Sequence, residues 1–153
     1  MAKDQLEVDI DELCEAYEFS NFENSYYLDL DTGEVLLIVH HSGVAEQNRK
    51  NKKKIEQDDE GRYIKVPSTD SREGYRDMQD FIQTVDDKDL REKLRIAIDG
   101  KGAFRRFKDV LKRYPEERER WFEFKDERTR KRVLEWLERQ EIGSDFTILS
   151  SSR

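Results

Sequence analysis

The sequence predicts an α+β fold, an antiparallel β-hairpin packed with a helix-rich C-terminal half. A run at 62–67 would extend the hairpin to a small three-stranded sheet. Three observations carry this prediction. Two strand-like runs in "SYYLDLDTGEVLLIVH" flank a short glycine turn. From residue 70 onward apolar residues recur at three- and four-residue steps. The same half is punctuated by cap and stop residues at Asp70, Gly100 and Pro115.

Taken in order, residues 4–18 read as an amphipathic helix, with Leu6, Ile10, Leu13, Cys14 and Tyr17 on one face and acids opposite. In the hairpin, Gly33 takes the positive φ of the turn, and Tyr26, Leu28 and Leu30 share a face. Residues 43–61 read as a solvated loop or short exposed helix, "RKNKKK" followed by "IEQDDE". "RYIKVP" is a third short strand, stopped by Pro67. Asp70 and Glu73 form a capping box ahead of Tyr75, Met78, Phe81, Ile82 and Val85. Asp86 or Asp87 caps the next helix, with Leu90, Leu94, Ala97 and Ile98, and Gly100 ends it. A helix over about 102–113 follows. Pro115 opens another with Glu116 and Glu117 at its positive end, carrying Trp121, Phe122 and Phe124. A break is expected near Asp126, before a last helix with Val133, Leu134, Trp136 and Leu137 that Gly143 ends. The expectation is a single domain over 1–142 and a C-terminal tail over 143–153, with "SSSR" loose.

Composition bounds the function. The chain has 153 residues, 42% charged and 35% apolar, with a formal net charge of −7. Leu, Ile, Val and Phe supply 37 residues, enough to form a core. The acidic balance argues against a general nucleic-acid binder. Residues 1–34 hold eleven acids and one base, so the remainder is net positive. The single cysteine, Cys14, permits no intramolecular disulfide, falls on an apolar stripe and reads as structural. The longest aliphatic run, "VLLIV", is too short to span a bilayer. A cytoplasmic protein without a membrane association is expected.

The stretch "GKGAFRRFKD" at 100–109 is the candidate site. On a helix, Phe104, Phe107, Val110, Leu111 and Tyr114 gather on one side and are read as core, while the cations take the rest. Segment 101–113 has six cations and one anion. A helix start after "GKG" offers N–H groups and partial positive charge to an anion. The candidate ligand-binding residues are Gly100, Lys101, Gly102, Arg105, Arg106 and Lys108. Their partner is an anionic ligand, an acidic protein surface, the chain's own acidic first helix, or solvent. The P-loop spacing is absent. The two helices around the glycine turn also share the outline of a helix-turn-helix DNA binder, an outline common in ordinary α-hairpins.

Other patterns resolve to structure. "DLDTGE" places glycine fifth rather than sixth and His40 where a calcium loop needs its Glu, so it reads as a turn. His40 and His41 are adjacent on a strand and point to opposite faces. No zinc spacing, nucleophile elbow or dinucleotide motif appears, and no metal, cofactor or catalytic residue is assigned. The acids after "RKNKKK" are expected to blunt it as a nucleic-acid or membrane patch.

"YYLDLDTGEV", "SREGYRDMQDFIQTVDD", "AIDGKGAFRRFKDVL", "PEERERWFEF" and "RVLEWLE" occur in that order. Together they resemble the bacterial uncharacterised protein family numbered 0158, over about residues 25–140. The "GKGAFRRFKD" block with "RERWF" is the most specific part. The resemblance implies a bacterial protein of one architecture and adds no catalytic residue. It implies that Gly100, Lys101, Gly102, Phe104, Arg105, Arg106 and Phe107 belong to the family signature. The expected function is a non-catalytic binding or regulatory module acting through the basic helix. The alternatives are nucleic-acid binding through the same helix, and an enzyme using acids in a cleft beside the hairpin.

Overall fold

The architecture is α+β, in element order β-α-β-β-α-β followed by four helices and a last strand. The structure is a computed structural model and describes residues 6–21, 23–40, 46–140 and 146–149. His41, Gly143 and the final "SSSR" lie outside the described residues. The chain divides into two units, one of residues 1–69 with 129–153 and one of residues 70–128, and each has its own core.

The first unit begins with a correction. Leu6–Asp9 is a strand, β1, and only Ile10–Phe19 is helical, α1. Asp9 ends the strand by capping the helix, its carboxylate accepting the N–H groups of Asp11 and Glu12 at 3.0 and 3.2 Å. The hairpin is β2 (Asn24–Asp29) and β3 (Val35–Val39), and β4 (Tyr63–Lys65) joins the other edge of β2. All pairs in this sheet are antiparallel, with Leu28 opposite Val35 and Ile64. The third strand and the shared face of Tyr26, Leu28 and Leu30 are as the alternation predicts. Gly33 has φ 79°, and any Cβ there would collide with the backbone carbonyl of Glu7 in β1. The turn therefore needs glycine twice, for its φ and for the close passage of another strand.

The last described strand, β5 (Phe146–Leu149), falls in the segment expected to be a tail. It pairs in parallel with β1, Leu6 opposite Phe146. The polar segment after the hairpin forms α2 (Glu46–Glu56). The core of this unit gathers Val8, Ile10, Leu13, Leu28, Val133 and Leu137, all fully buried. Each such side chain contributes about 1.5–3 kcal/mol.

The second unit holds α3 (Ser71–Gln83), α4 (Lys88–Ala97), α5 (Ala103–Leu111) and the first half of α6 (Pro115–Arg139). The capping box of Asp70 and Glu73 is present. Asp87 rather than Asp86 caps α4, accepting from Asp89 and Leu90. Helix α6 is continuous over 25 residues, so no break occurs at Asp126. No Gly or Pro interrupts it after Pro115. Instead the residues just past Asp126 bind back: the Arg128 guanidinium lies 2.9 Å from Asp80 and 3.4 Å from buried Asp77 of α3, and covers the Phe124 ring. Phe81, Phe107, Trp121 and Phe124 form an aromatic core, with Phe107 and Trp121 edge-to-face at 4.8 Å.

Candidate functional site

The candidate site begins where α4 ends. Ile98 caps the helix, and Gly100 and Gly102 both take positive φ, 85° and 76°. Two left-handed residues so close turn the chain sharply into α5, and only glycine adopts them without strain. The turn is then fastened by side chains. Arg106 Nε donates to the Ala97 carbonyl at 2.9 Å and Nη2 to the Asp99 carbonyl at 2.6 Å. The Tyr75 hydroxyl donates to the Ile98 carbonyl at 2.9 Å. The carbonyls that α4 leaves unpaired at its end are thus satisfied from α3 and α5. Arg106 thus fastens the turn.

Lys101, Arg105, Lys108 and Lys112 are exposed. Arg105, Lys108 and Lys112 fall within about 60° of arc on α5. Lys112 lies 3.5 Å from Asp109. Among the described residues, Lys101, Arg105 and Lys108 form no ion pair or hydrogen bond with another side chain. The N-cap Gly102 supplies no side-chain acceptor, so the first N–H groups of α5 have no side-chain cap. Arg105 and Lys108 thus share one face of α5, Lys101 lies in the glycine turn before it, and Arg106 binds back to that turn.

The two phenylalanines part company. Phe107 is buried at 1%, as expected, but Phe104 is 43% exposed, which corrects its assignment to the core. It sits one position off the buried arc of Ala103, Phe107 and Leu111. Its ring lies against Gly74 in α3, where a Cβ would be 3.1 Å from Cε1.

The turn of the hairpin is an ionic clamp. Asp29, buried, receives Arg62 Nε and Nη2, both at 2.9 Å, and Asp31 lies 3.3 Å from the same guanidinium. Burial alone would push the Asp29 carboxyl up. The bonds from Arg62, the Asp31 N–H and the Thr32 hydroxyl overcome this and hold it below the ordinary value. Among the described residues, no group of three His, Cys, Asp or Glu side chains is placed to hold a metal ion.

Ser25 Oγ and His40 Nε2 are 2.7 Å apart, a spacing found in nucleophile–base pairs. Ser25 is 2% exposed, so no substrate carbonyl reaches its oxygen, and the contact braces the strand end. A cleft of about 470 Å³ between α3 and α4 is lined by Tyr75, Gln79, Ile82, Glu92, Arg95 and Ile96. Its Glu92 and Arg95 are neighbours on α4, 3.8 Å apart and one turn from each other. Among the described residues, no helix is long and apolar enough to cross a membrane.

The asparagines of α2 were not legible as functional parts. Asn48 Oδ1 accepts the Val39 N–H at 2.8 Å, Asn48 Nδ2 donates to the Val39 carbonyl at 2.9 Å, and Asn51 Nδ2 donates to the Leu37 carbonyl at 3.0 Å. The signal was their three-residue spacing within a basic run, which puts both on one side of a helix.

The pattern of the uncharacterised protein family UPF0158 matches residues 3–148. A UPF0158 protein of Pseudomonas aeruginosa is 30% identical over 137 residues, 90% of this chain and 85% of its own. A UPF0158 protein of Chlamydia pneumoniae is 31% identical over 82% of this chain and 38% of its own length. One from Chlamydia trachomatis is 29% identical over 88% and 40%. The chain thus spans about two fifths of these longer chlamydial relatives. No solved structure matches it. With a match over nearly all of its length, the chain belongs to the uncharacterised protein family UPF0158.

Proposed function

We propose that this protein is a non-catalytic binding or regulatory module, and that Lys101, Arg105 and Lys108 receive an anionic ligand or the acidic surface of a partner protein. One observation carries the reading: three exposed cations, Lys101 in a fastened turn and Arg105 and Lys108 on the helix it opens, form no ion pair among the described residues. Solvated cations on a rigid scaffold lose little on meeting an anion, because their backbone is already ordered. Gly100 and Gly102 shape the turn, and Arg106 positions it. A cytoplasmic setting goes with this reading, since one cysteine forms no intramolecular disulfide.

Titration calorimetry of the full chain with pyrophosphate and with poly-L-glutamate tests it. Replacing Lys101, Arg105 and Lys108 together by Ala is expected to weaken whichever probe binds by about tenfold or more. Affinity unchanged in that variant ends the proposal, as does failure of both probes to bind the unaltered protein. Arg106→Ala is expected to lower the melting temperature first, because it strips two carbonyls of their partner.

A further inference from the structure

Helix α2 has an unusual composition for an ordered helix. Five of its eleven residues are cations (Arg49, Lys50, Lys52, Lys53 and Lys54), and Ile55 is its one apolar residue. Apolar burial therefore does little to hold it. Its fixings are polar: the three bonds from Asn48 and Asn51 to the free edge of β3, with Gln47 Nε2 donating to Asn51 Oδ1 at 2.9 Å. These bonds set the rotation of the helix. With both asparagines turned to the strand, Arg49, Lys50, Lys53 and Lys54 are exposed.

Gathering them is electrostatically unfavourable. Arg49 with Lys53, and Lys50 with Lys54, are like charges one turn apart. Glu46, 3.5 Å from Lys50, offsets this in part. Asp58, in the acidic segment that follows, accepts the N–H groups of Glu60, Arg62 and Tyr63 at 3.3, 3.0 and 2.9 Å, which fixes its carboxylate in the following turn.

We propose that this face of α2 docks on the phosphate backbone of a nucleic-acid duplex, without reading base sequence. The argument is charge complementarity. Four of the five cations are lysines, point charges that meet a phosphate oxygen from any direction, which suits contact with a nucleic-acid backbone and not with a particular base. The amide side chains that would read adenine edges are turned to the strand or to each other. An interfacial membrane helix needs an apolar face, and α2 has none. The acids elsewhere in the chain act weakly beyond a screening length of about 8 Å in physiological salt. This surface does not depend on the one proposed at Lys101, Arg105 and Lys108.

The test is fluorescence anisotropy of the full chain with a labelled duplex between about 50 and 200 mM salt. Binding is expected to weaken steeply with salt and to be indifferent to base sequence. The variant carrying Lys50→Gln, Lys53→Gln and Lys54→Gln is expected to reduce the slope of log K against log salt by about 2.7, about 0.9 for each lost phosphate contact. The matching triple change to Arg is expected to retain binding, which separates lost charge from lost fold. No binding at the lower salt overturns the proposal. So does a slope unchanged by the Gln variant with intact circular dichroism, or a loss caused instead by the Ala changes at Lys101, Arg105 and Lys108. Capture of poly-L-glutamate or phosphatidylserine vesicles in place of the duplex overturns it too.

Discussion

A methyl group at Gly33 has nowhere to go: φ is 79°, and the Glu7 carbonyl occupies the space. Gly33→Ala is expected to cost about 2–4 kcal/mol, strain plus a forced shift of β1. Urea denaturation measures it, and an unchanged midpoint would mean that the two backbones do not approach. Gly74 is the opposite case. An added methyl meets only the Phe104 ring, which is 43% exposed and free to yield, so Gly74→Ala is expected to stabilise by up to about 1 kcal/mol through helix propensity. Two carboxyls give pH effects of opposite sign. The Asp29 carboxyl is held low, so its contribution is present above its unfolded value near 3.8 and is lost as pH falls below it. Asp29→Asn is expected to destabilise at neutral pH by about 1–3 kcal/mol and to flatten the acid limb of the stability curve. Glu12 is pushed up, first by burial and then by Asp9, Glu15 and Glu34. It therefore costs stability as pH rises through its folded value above 4.5. Glu12→Gln is expected to raise the melting temperature at neutral pH, with the gain vanishing in acid.

At the scale of elements, α2 works as a cover for a sheet edge. Without Asn48 the Val39 N–H and carbonyl lose their partners, and β3 offers an open edge to other chains. Asn48→Ala is therefore expected to speed hydrogen exchange at the Val39 amide and to increase aggregation, while the Tyr27 amide, paired within the sheet, is unaffected. Equal protection at Val39 in both proteins would contradict this role. Elements defined by local contacts were legible in the sequence: the capping box at Asp70, the turn at Gly33, the stop at Gly100 and the N-terminal Pro115 all reflect neighbours a few residues apart. Those defined by distant partners were not. Leu6, Ile10 and Leu13 fit a helical stripe, yet Leu6 and Val8 belong to a strand because residues 146–149 lie beside it. The site divides in the same way. The cations near Gly102 are plain in the sequence, but the tie from Arg106 to Ala97 and Asp99 depends on a turn geometry that spacing does not specify.

At the scale of the molecule, two cores are supplied by one long helix. Helix α6 gives Trp121 to one and Val133, Trp136 and Leu137 to the other. Phe81→Ala removes the ring that touches Phe107, Trp121 and Phe124, at an expected cost of about 3–5 kcal/mol. Hydrogen exchange by mass spectrometry is expected to show faster exchange across 70–128 and little change in β2 and β3. Uniform loosening of both units would show that they unfold as one. The division into units is itself a long-range property, invisible in composition, because residues 129–139 continue the same helix while packing into a different core.

The parallel pairing of Leu6 with Phe146 also has a consequence for biosynthesis. Everything in 70–128 leaves the ribosome as one continuous piece, whereas β1 waits for its neighbour until the more than one hundred residues between them have been made. During that interval the nascent chain carries an unzipped strand, which makes the late arrival of four residues the event that closes the first unit.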